Sequence, residues 1–217
     1  LSVNDARTYG VIAGQQGPTA QPAGDPPGYA ATALSQMLAA RGITVAGPPG
    51  SGKAPASLSE VVSVASMPLS DVVAGVLTHS DNNTAELLVK SLGGKGCGVG
   101  STEAGIAVIR KDLEAEGLLS KDIVVVDGSG LDTGNRVTCR LLSSILEADG
   151  AEGPLSKGLA PSDGNVGTLA DRYRNSPAKG AVRAKTGTLR AVTALSGWVT
   201  SSKGAKLRFS FVINTGD

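Results

Sequence analysis

The sequence predicts an α/β chain of the α+β type, a mostly antiparallel sheet flanked by helices. Three observations lead there. Apolar residues recur at helical spacing through the middle of the chain. Three β-rich runs crowd the C-terminal end, and Ser202-Lys203-Gly204 makes a hairpin turn between the last two. Helices followed by adjacent hairpin strands favour an antiparallel sheet with helices packed on it. The chain has 217 residues, enough for a real core, and its 41% hydrophobic and 18% charged residues exclude disorder. Aromatics are only 3%, so that core must rest on Ala, Val, Leu and Ile.

The elements follow in order. The stretch to about Pro27 is rich in Gly, Pro, Gln and Ala, with one strand expected around Thr8 to Ala13. It reads as a passage from one structural unit to another. Tyr29, Ala33, Leu34, Met37 and Leu38 mark a helix over Tyr29 to Arg41, stopped by Gly42. Ile43 to Ala46 and the Val-rich Ser59 to Ala65 are expected strands. Pro68 to Leu77 and Asn83 to Leu92 are helical, the second ended by Gly93-Gly94. Ser101 to Glu116 is an amphipathic helix closed by Gly117. Ile123 to Val126 is expected as a buried strand leading into the turn Asp127-Gly128-Ser129-Gly130, and Thr138 to Ala148 is helical. Val182 to Thr186, Val192 to Thr200 and Ala205 to Asn214 are the terminal strands.

Charge and composition exclude several functions. Net charge is +1, with Lys+Arg 20 against Asp+Glu 19, so there is no electrostatic footprint for nucleic acid or an anionic membrane. The apolar runs are too short to span a bilayer. The start Leu1-Ser2-Val3-Asn4 has no initiator Met, and the chain is expected to be a processed piece of something longer. Cys97 and Cys139 fit no CxxC motif, and with a single His they make no structural zinc site. They read as buried free thiols or as one disulfide of an exported protein.

Three short patterns tempt. Gly47-Pro48-Pro49-Gly50-Ser51-Gly52-Lys53 matches the P-loop spacing, and Ile123 to Asp127 passes for its acidic strand. A nucleotide-binding protein is therefore the rival from a different class. Ala54 stands where the magnesium-ligating hydroxyl belongs, and Pro55 interrupts the required helix, which favours a Gly/Pro loop. His79-Ser80-Asp81 collects the residue types of a serine triad, but adjacent side chains diverge, and His79 reads as a helix-end residue. Ser176-Pro177-Ala178-Lys179 has S-x-x-K spacing, yet Pro177 makes it a poor helix start, and it reads as a loop.

Two further motifs belong together. Ser80-Asp81-Asn82 sits between two expected helices, and Lys185-Thr186-Gly187-Thr188 sits on the first terminal strand. S-D-N and K-T-G are two of the three signature elements of serine β-lactamases and penicillin-binding proteins. Lys185 supplies positive charge for a substrate carboxylate, and the Thr186 and Thr188 hydroxyls can donate to the same group. Gly187 leaves room for a substrate strand against the backbone. The Thr188 N–H is a candidate oxyanion donor, the Asn82 amide can hold a substrate amide, and the Ser80 hydroxyl beside a lysine can relay a proton.

With these stand Asp25-Pro26, Arg41 to Gly47, Ser66-Met67-Pro68-Leu69, Asn83-Thr84-Ala85-Glu86, Asp127 to Leu131 with Asn135-Arg136-Val137, and Gly167-Thr168-Leu169. As a set they resemble the C-terminal part of class C low-molecular-mass penicillin-binding proteins, the D-alanyl-D-alanine carboxypeptidases of peptidase family S13. The resemblance covers nearly everything from about residue 20. It implies the penicillin-binding or serine β-lactamase fold with helices on both faces, incomplete in this chain. It implies residues 1–20 as the tail of an inserted domain and residues 21–217 as the C-terminal part of the D,D-peptidase domain. It further implies carboxypeptidase or endopeptidase hydrolysis, of the terminal D-Ala-D-Ala bond of peptidoglycan stem peptides or of D,D cross-links, through an acyl-serine, with β-lactam binding, no metal or cofactor, and an extracytoplasmic location. A serine β-lactamase shares the motifs. The family's S-x-x-K nucleophile has no counterpart in the right order here, so it is expected upstream or on a second polypeptide. Arg190, at the rim, is a candidate contact for an acidic group of the stem peptide.

Overall fold

Four side chains start the longer helices. Asp25, Asp81, Ser101 and Thr138 each accept the backbone N–H three residues on, from Gly28, Thr84, Ala104 and Leu141. The computed structural model describes residues 7–11, 18–53 and 55–215. It divides into two compact units, Leu1–Ala65 and Ser66–Asp217.

In the first unit β1 (Arg7–Val11) pairs antiparallel with β2 (Pro18–Pro22). The strand expected over Thr8 to Ala13 thus ends at Val11 within the described residues; Ile12 and Ala13 lie outside them. Helix α1 (Pro26–Ala39) follows, with prolines in its first turn, where no N–H is needed. The strands expected at Ile43 to Ala46 and Ser59 to Ala65 do not form. Val61 and Val64 are 96% and 90% exposed. β-Branched residues favour strands only where a neighbouring strand packs and hydrogen-bonds, and none runs beside them among the described residues. The P-loop reading falls with them. No strand leads into Gly47–Lys53, and the described residues 55–68 that come after it are irregular, Ala54 lying outside the described residues. Ser51 instead hydrogen-bonds to the Asp25 carboxylate at 3.0 Å.

The second unit holds α2 (Leu69–His79), α3 (Asn82–Cys97), α4 (Thr102–Ala115), α5 (Cys139–Asp149) and the short α6 (Pro154–Gly158). Helix α3 does not stop at Gly93-Gly94. A Cβ on Gly93 would lie 2.7 Å from the Gly105 nitrogen, and one on Gly105 2.0 Å from the Val89 carbonyl oxygen. These glycines let α3 and α4 cross backbone to backbone; they are packing residues, not terminators. Ile123 to Val126 makes only a single bridge, Val124 to Arg136, although Ile123 is buried. Cys97 and Cys139 are both exposed free thiols, which is neither of the arrangements their spacing suggested.

Strands β3 (Ala160–Pro161), β4 (Val182–Leu189), β5 (Val192–Thr200) and β6 (Lys206–Asn214) form one antiparallel sheet in that order. One face carries Lys185, Trp198 and Arg208. It meets the helices, with Trp198 donating to Ser156 of α6 and Arg208 pairing with Glu147 of α5. The other face carries Val182, Ala184, Leu195 and Phe209. Here Leu169, fully buried, completes the core with Ala160. No described helix of this unit is held against that second face by such contacts. The segment around Leu169, Tyr173 and Ala178 covers one end, while Leu207, Phe211 and Ile213 stay exposed. No described helix is long and apolar enough to cross a membrane.

Candidate active site

Helix α2 ends where the backbone turns left-handed. Ser80 sits at φ 60°, ψ 51°, and its N–H donates to the Val76 carbonyl. A non-glycine residue there is strained by about 1 kcal/mol, and such strain concentrates at working sites. Asp81 then caps α3, accepting from the Thr84 N–H at 3.0 Å and hydroxyl at 2.5 Å. Burial raises the Asp81 pKa, but these bonds outweigh it and hold the carboxyl below its ordinary value. Asn82 opens α3 with its side chain exposed. This turn therefore presents Ser80 and Asn82 between two helix ends.

Lys185 comes to that turn from β4. Its ammonium donates to the Ser80 hydroxyl at 2.7 Å and to the Thr186 carbonyl at 2.8 Å. No carboxylate forms a salt bridge with it among the described residues. Burial pushes its pKa below the ordinary lysine value. An unneutralised ammonium of this kind suits an incoming anion.

The register of β4 explains what surrounds it. Val182 both donates to and accepts from Ser162, so its backbone groups face the β3 edge. The two-residue period carries Thr186 and Thr188 to the same edge. Strand β3 pairs only with Arg183 and Ala184. Thr186 and Thr188 therefore present main-chain groups where β3 has ended. Their side chains lie on the face opposite Lys185 and Gly187 by the same pleat. A Cβ on Gly187 would come within 3.3 Å of the Ala194 methyl, so packing also favours glycine here. Arg190 is exposed in the β4–β5 turn.

Sequence reasoning missed the supports. Glu86 of α3 accepts from the Gly128 and Ser129 N–H groups at 3.1 and 2.8 Å through one carboxylate oxygen. Asp127 accepts from Gly130, Asp132 and Asn135 at 2.7 to 2.8 Å, and from the Ser129 hydroxyl at 3.2 Å. Burial raises the Asp127 pKa, and the bonds override it, leaving it lowered. Thr78 donates to the Gly158 carbonyl at 2.7 Å, and its own carbonyl accepts from Thr168 at 3.1 Å. Those two bonds fasten the last turn of α2 beside the sheet. The Thr168 hydroxyl is buried with no hydrogen-bond partner among the described residues. Asn83 to Glu86, Asp127 to Leu131 with Asn135, and Gly167-Thr168-Leu169 stood out in the sequence as pieces of a set but without these roles; Thr78 carried no signal. Ser176 to Lys179 lies in a loop, as its proline suggested, and His79 is the exposed last residue of α2.

Comparison with known proteins places this geometry. The model of the D-Ala-D-Ala carboxypeptidase 3 (S13) family matches residues 4–217. The D-alanyl-D-alanine carboxypeptidase of Actinomadura sp. (strain R39) is 36% identical over 202 residues, covering 88% of this chain and 37% of that protein. Carboxypeptidase DacB of Mycolicibacterium smegmatis is 31% identical over 162 residues, 71% of this chain and 35% of its own length. Penicillin binding protein 4 of Haemophilus influenzae, solved in complex with a β-lactam, superposes with TM-score 0.78 at 25% identity, over 97% of this chain and 54% of that one. The chain thus spans well under half the length of these two curated relatives.

Proposed function

The chain belongs to the D-Ala-D-Ala carboxypeptidase (S13) family, and from that premise we propose that it is the C-terminal part of a serine D,D-peptidase of peptidoglycan stem peptides. The observation that carries the reading is the 2.7 Å hydrogen bond from Lys185 to Ser80, which joins the K-T-G strand to the S-D-N turn across 105 residues of sequence. In this reading the acylated serine lies on an S-x-x-K segment outside these 217 residues. The edge of β6, unpaired among the described residues, and the exposed Leu207, Phe211 and Ile213 leave a place for other segments of the longer protein, on the face opposite Lys185 and away from the reacting serine. Residues 1–20 are then the tail of an inserted domain, and the enzyme works outside the cytoplasm.

Each residue takes one role. The stem peptide's terminal carboxylate pairs with Lys185 and accepts from the Thr186 and Thr188 hydroxyls where the strand edge lets them reach. The Thr188 N–H stabilises the oxyanion as the serine, its proton taken by the lysine of the same S-x-x-K segment, attacks the penultimate carbonyl. Ser80 passes a proton to the departing D-alanine nitrogen and is recharged through Lys185. Asn82 holds the substrate amide, Gly187 lets the substrate strand lie close, and Arg190 meets an acidic group beyond the reacting bond. Water then hydrolyses the acyl ester. β-Lactams enter by the same contacts and stay as the ester.

Intact-mass spectrometry of the purified protein before and after penicillin tests this. An adduct on a polypeptide carrying an upstream S-x-x-K is expected. An adduct on Ser80 or Ser176, or none on any polypeptide that co-purifies, contradicts the assignment of roles.

A further inference from the structure

A second concave site lies on the helix-packed face of the sheet. It is a cleft of about 350 Å³, within the range of small-molecule sites, and Glu152, Lys157, Arg183, Trp198 and Lys206 line it. Four elements and two loops converge there: the α5–α6 connection, α6, the segment before β4, β4, β5 and β6. Three cations face one carboxylate. Glu152 pairs with Lys206. Lys157 and Arg183 have no carboxylate within 4.0 Å among the described residues.

The charge is also held in place. The Arg183 guanidinium donates to the Lys157 and Leu159 carbonyls at 3.0 and 3.3 Å, which orients it without neutralising it. The Trp198 indole N–H is consumed by the buried Ser156 hydroxyl at 2.9 Å, so the fixed ring offers the cleft apolar surface alone. A bare anion would use the cations and leave the indole wall unoccupied. A sugar ring has an apolar C–H face that fits an aromatic wall and can carry an acidic substituent.

We propose that this cleft binds an anionic saccharide, its ring against Trp198 and its carboxylate or phosphate between Lys157 and Arg183. This goes beyond the peptidase reading and does not depend on it, since binding here needs neither Lys185 nor an acylated serine.

Trp198 is the chain's one tryptophan, so its fluorescence reports on the cleft directly. The protein is titrated with a uronic-acid trisaccharide, a glucose phosphate and a neutral trisaccharide. A saturable change with an acidic sugar, at least tenfold weaker with the neutral one, is expected. Response to the uronate alone identifies a carboxylate ligand, and to the phosphate alone a phosphate ligand. Lys157→Gln, on an exposed residue, should weaken binding roughly tenfold. Glu152→Gln should strengthen it, because Lys206 is released to the ligand. Equal response to neutral and acidic sugars, no saturable response to any, or opposite-sign variants that leave affinity unchanged would overturn the proposal.

Discussion

Gly167 tests how the second unit holds Ser80 against Lys185. It sits at φ +78°, and a Cβ there would lie 2.5 Å from the Thr78 carbonyl oxygen, 2.8 Å from the Thr78 methyl and 3.1 Å from the Ala160 methyl. Gly164 is the control. Its φ is +90°, but a Cβ would meet only the Ala170 carbonyl, at 3.7 Å. Both alanine substitutions incur the left-handed backbone cost of about 1–2 kcal/mol. Gly167→Ala adds an overlap that ordinary contact, 3.4 Å, relieves only by roughly 0.9 Å of movement (3.4 minus 2.5). Overpacking of that kind costs about 1–3 kcal/mol more. The total is about 2–5 kcal/mol for Gly167→Ala against about 1–2 for Gly164→Ala. The atom that must move belongs to the residue two before Ser80, so the Ser80–Lys185 bond moves with it. Urea unfolding midpoints measure the stability gap. Penicillin acylation rates, in the enzyme that carries the reactive serine, measure the site, and Gly167→Ala should lower them at least tenfold while Gly164→Ala leaves them near wild type. Equal destabilisation by the two substitutions, or normal acylation in Gly167→Ala, would refute the reasoning.

Other predictions concern charge. Lys185→Met should abolish acylation without lowering stability. Because burial depresses the native Lys185 pKa, the unfolded chain binds more protons between that value and the ordinary one, so wild-type stability should rise with pH across this alkaline window. Urea midpoints that climb equally in Lys185→Met would contradict this. Asp127→Ala leaves the Gly130, Asp132 and Asn135 donors without their acceptor and should cost about 2–4 kcal/mol, read by thermal unfolding. The lowered pKa of Asp127 means its contribution is present above the ordinary aspartate value and disappears as pH falls through the lowered one, so this variant should also flatten the acid limb of the stability curve. Arg190→Ala should raise KM for acidic stem peptides selectively; an equal rise with neutral peptides would remove Arg190 from recognition.

Whatever depends on near neighbours was legible in the sequence. Apolar spacing located α1, α2, α4 and α5, and turn residues located the β5–β6 hairpin, because helix periodicity and turn conformation are local properties of the chain. The S-D-N and K-T-G motifs were legible for a similar reason: each is a short run with fixed chemistry. What tertiary structure decided is everything that needed a distant partner. Ile43 to Ala46 and Ser59 to Ala65 have strand composition and no strand beside them, so they remain irregular. Gly93-Gly94 looks like a helix end, yet α3 runs on to Cys97, and α4 crosses it at backbone distance at Gly93. Glu86 becomes the anchor of the Asp127 to Leu131 turn only because α3 passes beneath it, 42 residues away in sequence. The burial of Lys185 against Ser80 follows from β4 meeting the turn after α2. Local sequence fixes which groups are available, but the energy of a hydrogen bond or a buried charge depends on what packs around it, and only the folded chain sets that.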